Sequence, residues 1–148
     1  MSAKRLQGKP LLEINKIPII SHVVQRAKES DIGEVFVATE DIEIVSAVEQ
    51  NGGKAILTKN HKTGTDRIFE ALTILKNKNI DYVLNLQGDE PMIAPKDIKN
   101  LNNFMIKSNA DMGTLAAKIN DNKVLNNKDI VKVVTEKILE NNSFCKAL

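Results

Sequence analysis

Helical stripes and short β-rich runs alternate along this chain with few residues between them, and that alternation restricts its fold more than any other feature. Ile19 to Ser30 carries Ile19, Ile20, Val23, Val24 and Ala27 at helical spacing and closes at Ser30-Asp31. After Gly33, Glu34 to Thr39 is a short β-rich run that reads as a buried strand. Ile42 to Gln50 returns to helical spacing, with Ile42, Val45 and Val48 on one face, and Asn51-Gly52-Gly53 stops it. Lys54 to Thr58 reads as a second strand, Asp66 to Lys76 as an amphipathic helix with Ile68, Leu72 and Leu75 aligned, and Asp81 to Leu86 as a third strand. Pro95 to Lys107 reads as a helix with proline at its start. Thr114 to Ile119 and Ile130 to Thr135 read as later strands separated by an Asn/Asp/Lys-rich loop. This order predicts βαβ units with right-handed crossovers: one α/β domain over residues 1–148, a mostly parallel sheet with helices on both faces.

The bulk properties exclude several classes. The 21 basic and 19 acidic residues are mixed along the sequence and leave a formal charge of +2. With one Tyr, four Phe and no Trp, the chain lacks both the basic block and the stacking aromatics of a nucleic-acid binder. A single cysteine, Cys145, rules out an internal disulfide framework and a multi-cysteine zinc site, and it fits a reducing compartment. No apolar run approaches the length of a membrane span and the amino terminus has no signal-peptide core. The expectation is a soluble cytoplasmic protein without membrane insertion.

Three loops carry residues suited to chemistry. Leu84-Asn85-Leu86-Gln87-Gly88-Asp89-Glu90-Pro91 runs from an apolar segment into a Gly-acid-acid-Pro turn. Ligands of open α/β sheets sit at such carboxyl edges, where Asp89 is placed to hold Mg²⁺ that in turn holds phosphates; a connection with solvated acids is the alternative. Lys4-Arg5-Leu6-Gln7-Gly8-Lys9-Pro10 offers two cations, Arg5 and Lys9, around a glycine. It reads either as a polyphosphate-binding loop or as a basic terminus. In Lys62-Thr63-Gly64-Thr65-Asp66-Arg67, Thr63 or Thr65 caps the following helix and Gly64 permits close approach of a ligand to the backbone. A plain capped helix start remains the alternative, but Arg67 in the first turn opposes the helix dipole and is better explained by an anionic or carbonyl partner.

RLQGKPLL at Arg5 to Leu12, VATE at Val37 to Glu40, GGKAILT at Gly52 to Thr58, TGTDR at Thr63 to Arg67, NLQGDEPMI at Asn85 to Ile93 and VKVV at Val131 to Val134 follow one another in this order. Together they resemble the amino-terminal portion of the 3-deoxy-D-manno-octulosonate (Kdo) cytidylyltransferases, also called CMP-Kdo synthetases, over nearly the whole chain. TGTDR and QGDEP are specific as a pair; the other pieces are individually weak. Glu40 stands where the family usually has Asp.

The resemblance implies a nucleotide-diphospho-sugar transferase type of α/β fold and the reaction of CTP with Kdo to CMP-Kdo and pyrophosphate, for lipopolysaccharide biosynthesis. By matching position, Arg5 and Lys9 would hold the triphosphate and steady the pentavalent charge. Thr63, Gly64, Thr65, Asp66 and Arg67 would line the nucleotide pocket, Gln87 would contact the sugar or ribose, and Asp89 would ligate Mg²⁺. Intact members of the family are expected to be homodimers. They begin with an apolar strand ending Pro-Ala-Arg and run beyond Leu148. The chain is therefore expected to be a fragment without that strand and without the carboxyl-terminal part, which supplies a second Mg²⁺ carboxylate and much of the Kdo pocket. His22 reads as a surface or boundary residue, and His61 as a solvated loop residue or a nucleotide contact. Rival readings are a CMP-sialic acid synthetase or other sugar nucleotidyltransferase, and a catalytically dead nucleotide-binding fragment or non-enzymatic partner.

Overall fold

The computed structural model describes residues 8–76, 79–138 and 143–147, and it turns the expected alternation into fewer and shorter strands. Internal contacts divide the chain into two units, residues 1–99 and 100–148, with the division falling inside a helix.

In the first unit, Gly8 at φ 82° leads into a 3-10 turn over Lys9–Leu11, where Pro10 needs no amide partner. Strands β1 (Glu13–Ile14) and β2 (Ile17–Pro18) then form a small antiparallel hairpin. Its two turn residues, Asn15 and Lys16, both take positive φ, 52° and 64°, as a tight hairpin with right-handed strand twist requires. Helix α1 (Ile19–Glu29) follows at once and buries Ile20, Val23 and Val24, three of the positions its periodicity marks, together with Ser21. His22 joins this helix to the hairpin through the Ile14 carbonyl, 3.0 Å from Nε2.

Strand β3 (Val37–Thr39), helix α2 (Ile42–Gln50) and strand β4 (Ala55–Leu57) make one βαβ unit, with Val37, Ala38 and Thr39 parallel to Ala55, Ile56 and Leu57. The Asp41 side chain accepts the Glu43 amide at 2.9 Å and caps α2. At the far end the Gly53 amide donates to the Val48 carbonyl at 2.8 Å. A Cβ on Gly53 would lie 2.6 Å from Val48 Cγ1, so the turn tolerates no larger residue without rearrangement. Helix α3 (Gly64–Leu75) packs against β3 and ends at Lys76 in the left-handed region, φ 51°. Helix α4 (Pro95–Ser108) begins in this unit, where Ile98 is buried to 2% exposure. In the second unit Met105 is buried, Phe104 stacks on Phe144 at 5.4 Å, Asp121 caps the short α5 (Asn122–Asn126), and Thr135 bridges Ala147.

The α/β class stands as expected, and the four long helices lie within two residues of their expected bounds. The strands do not. Two of them shrink to Val37–Thr39 and Ala55–Leu57. Asp81 to Leu86 and Thr114 to Ile119 form no ladder among the described residues, and Ile130 to Thr135 contributes only the Thr135 bridge. A β-rich run becomes a strand only when a partner lies beside it, and no local pattern supplies that partner. Val83 and Asn85 instead line an apolar hollow of about 250 Å³ against Thr65, Ile68, Phe69 and Leu72 of α3.

On its other side α3 holds the loop that precedes it. Glu70 Oε2 accepts the His61 ring nitrogen Nε2 at 2.5 Å and the Lys59 amide at 2.9 Å. The His61 bond, then the Lys59 bond, hold the Glu70 carboxyl below its ordinary value of 4.5.

Two outcomes follow from this arrangement. Ile98→Ala should cost about 2–5 kcal/mol in denaturant unfolding, whereas Phe69→Ala, at a side chain left 72% exposed, should stay within about 0.5 kcal/mol of wild type. Because the Glu70 pKa is depressed in the folded state, its contribution to stability is complete above its unfolded value near 4.5 and is lost as pH falls through the lower folded value. The Glu70→Gln variant should therefore show a flatter loss of stability below that value when melting is followed against pH.

Candidate functional site

Lys9 and Asp89 stand 80 residues apart in sequence, yet Lys9 Nζ lies 2.6 Å from Asp89 Oδ2. Helix α1 is the platform for both. The 3-10 turn carrying Lys9 packs against α1, and the amide of Ile19 at the head of that helix donates to the Leu12 carbonyl at 2.8 Å. On the other side, the turn carrying Asp89 is seated on Ile20. A Cβ on Gly88 would fall 3.0 Å from Ile20 Cδ1, so glycine is what lets the acidic turn come this close. Both charged side chains are nearly half exposed, and such a pair contributes roughly 0–1 kcal/mol. Its position therefore comes from the two turns and not from the attraction of the charges.

A second group forms at the carboxyl ends of β3 and β4. Glu40 leaves β3; Asn60, His61 and Lys62 follow β4; Thr63, Gly64 and Arg67 open α3. Together they line a cleft of about 580 Å³. This is the edge at which parallel α/β sheets take their ligands. Thr63 caps α3: its Oγ1 accepts the Asp66 amide at 3.1 Å and donates to Asp66 Oδ2 at 2.7 Å. Arg67 reaches across to Glu40, with its terminal nitrogen 3.2 Å from Oε2, while its Nε is buried without an acceptor among the described residues. A guanidinium held at one end by a carboxylate keeps further donors for an anion or carbonyl group.

The expected site residues thus fall into two sets. Lys9 meets Asp89, and Thr63, Gly64, Asp66 and Arg67 gather at the mouth of α3, with Thr63 and Asp66 engaged to each other. Thr65 instead lines the apolar hollow on the opposite side of α3. Gln87 is exposed, and its carbonyl accepts the Glu90 amide at 3.3 Å within the turn. Arg5 lies outside the described residues. Glu40 and Glu70 were not foreseen as site-forming residues. A sequence signal did exist for Glu70: Thr63, Arg67 and Glu70 follow one another at i, i+4 and i+7, a polar stripe on the helix whose other face carries Ile68 and Leu72. Among the described residues no three His, Cys, Asp or Glu side chains gather as a metal-binding group. None of the described helices is long and apolar enough to cross a membrane.

Known proteins place this geometry in context. The chain is 46% identical over 136 residues to the 3-deoxy-manno-octulosonate cytidylyltransferase of Afipia carboxidovorans, covering 90% of this chain and 55% of that protein. The same-named enzyme of Nitrobacter winogradskyi is 45% identical, with 90% of this chain and 54% of that protein covered. The chain therefore spans about 55% of the length of these curated relatives. Among solved structures, a CMP:2-keto-3-deoxy-manno-octonic acid synthetase complexed with CTP superposes with a TM-score of 0.66 at 45% identity, covering 72% of this chain and 44% of that one. The cytidylyltransferase family model matches residues 1–143. With that match spanning almost all of its sequence, and with a cationic cleft at the carboxyl edge of a parallel βαβ unit, the chain belongs to the cytidylyltransferase family.

Proposed function

We propose that this chain carries the nucleotide-handling part of a Kdo cytidylyltransferase, which joins CTP and Kdo into CMP-Kdo and releases pyrophosphate. The setting would be cytoplasmic lipopolysaccharide biosynthesis, and the working form a homodimer. The observation that carries the reading is the Lys9–Asp89 contact, in a chain so similar to enzymes of that name. A cation and a metal-competent carboxylate meet there from two remote loops, as polyphosphate chemistry requires.

In the reaction, the anomeric hydroxyl oxygen of Kdo attacks the α-phosphorus of CTP. The new O–P bond forms as the bond from that phosphorus to the β-phosphate oxygen breaks. Pyrophosphate leaves with the electron pair and the hydroxyl proton passes to solvent. Positioning and charge stabilisation carry most of such a reaction. Lys9, with Arg5, would neutralise the charge that grows on the phosphate oxygens. Arg67, braced by Glu40, would hold the nucleotide in the cleft, where Gly64 leaves the backbone open to it. Gln87 would meet the sugar.

Mg²⁺ fits the donor set. Asp89 presents a carboxylate that faces Lys9 at 2.6 Å, and Mg²⁺ is commonly held by one or two carboxylates with substrate phosphates completing its shell. When bound by Asp89 and the phosphates, it would draw charge off the phosphate oxygens. Because the chain spans about 55% of its relatives' length, a second reading is a unit that binds CTP but catalyses only with further sequence.

Pyrophosphate release from CTP and Mg²⁺, measured with and without Kdo, separates these readings. Kdo-dependent release, falling on the order of 100-fold or more in Lys9→Ala and in Asp89→Asn, is the expected result. CTP binding without release, with activity restored on a longer chain, would favour the second reading. Activity with another acidic sugar but not with Kdo would overturn the substrate assignment.

A further inference from the structure

The cleft beside α3 is rich in donors and poor in acceptors. Lys62 and Arg67 can only donate, Thr63 is engaged with Asp66, Glu40 is engaged with Arg67, and Asn60 offers an amide that both donates and accepts. Such a lining suits phosphate; the hydroxyl or amino groups of a nucleotide need an acceptor, for which Asn60 and His61 are the candidates. His61 is the lining residue with one ring nitrogen committed to a carboxylate. Its Nε2 lies 2.5 Å from Glu70 Oε2, with both side chains less than one-quarter exposed. An ionised carboxylate has no proton to give, so Nε2 carries the hydrogen and donates. In the neutral ring Nδ1 is then bare and can only accept. Glu70 is itself fixed, since it stands in α3 and the same oxygen takes the Lys59 amide at 2.9 Å.

We infer that His61 is a specificity-determining contact, its Nδ1 accepting a hydrogen bond from a donor group of the bound nucleotide, and that Glu70 is the positioning residue that sets the ring's tautomer and orientation. This rests on the reading of the cleft as a CTP site. The helix supplies a rigid carboxylate, the carboxylate fixes the proton on Nε2, and the loop presents the other nitrogen within the cleft. The same logic orients imidazoles elsewhere: the bond made by one ring nitrogen decides what the other can do. Two kinds of donor on CTP fit the acceptor, the cytosine amino group and the ribose hydroxyls.

The test observes the His61 ring nitrogens by long-range ¹H–¹⁵N NMR of the labelled chain, together with the Gly64 and Arg67 backbone amides. The ligand-free chain should show the neutral tautomer protonated on Nε2. CTP should move the Nδ1 signal in the direction of an accepted hydrogen bond while the Gly64 and Arg67 amides also shift. UTP replaces the amino group by a carbonyl, and 2′,3′-dideoxy-CTP removes the ribose hydroxyls. Whichever ligand abolishes the Nδ1 response while the two amides still respond identifies the donor. If neither abolishes it, or if the ring is protonated on both nitrogens, the acceptor role is overturned. Amide shifts with a silent His61 overturn this inference alone; no response anywhere overturns the CTP reading with it. In binding measurements, His61→Ala and Glu70→Ala should each weaken CTP roughly 3- to 10-fold, the double variant no further than either, and Glu70→Gln less than about 2-fold. Additive losses would overturn the coupling between the two residues.

Discussion

The parallel ladder between Val37–Thr39 and Ala55–Leu57 is the constraint on which the cleft depends. Two strands running the same way place their carboxyl ends side by side, and the crossover through α2 is what permits that direction. Glu40 and the Asn60-His61-Lys62 loop consequently emerge at one edge, and α3 starts from there with Arg67 already within reach of Glu40. An antiparallel pairing of the same two runs would send these loops to opposite ends. Three residues per strand suffice because α2 packs on both strands and Val48, at 1% exposure, lies in the core.

The Lys9–Asp89 pair is built differently. Among the described residues no sheet joins Lys9 to Asp89; two turns reach the same helix instead. Gly88 comes down on Ile20, and the Lys9 turn is fastened to the start of α1 through Leu12 and Ile19. The ion pair that results is exposed and weak, so either partner can be exchanged at little cost. A buried pair of the same geometry would resist that exchange, because separating desolvated charges costs several kcal/mol, on the order of 3–5.

Helix α3 has two separate faces. Its apolar residues Ile68, Phe69 and Leu72 look onto the hollow with Val83 and Asn85, while Arg67 and Glu70 serve the cleft. The amino-terminal turn of the helix is closed by Thr63 and Asp66, so the motif that marks the family also does ordinary capping work. The capping reading of that motif holds: the cap fixes where the helix begins, and the fixed start sets where Arg67 stands.

By itself the sequence determined what depends on neighbours along the chain. Ile20, Val23 and Val24 are buried as their spacing requires, Thr63, one of the two threonines the sequence offered as a cap, caps the helix it precedes, and the ordered motifs from Arg5 to Val134 marked the family. These follow from 3.6-residue periodicity, from side chains that satisfy free amides two or three positions ahead, and from residue order. Pairing partners were beyond its reach. Asp81 to Leu86 has the composition of a strand but gains no ladder among the described residues, because hydrogen bonds between strands belong to two segments at once. Arg67 with Glu40, Glu70 with His61 and Lys9 with Asp89 were likewise decided by tertiary structure. Each charge was visible in sequence, but distance in space is set by which helix and strand faces bury together, and only the folded chain fixes that.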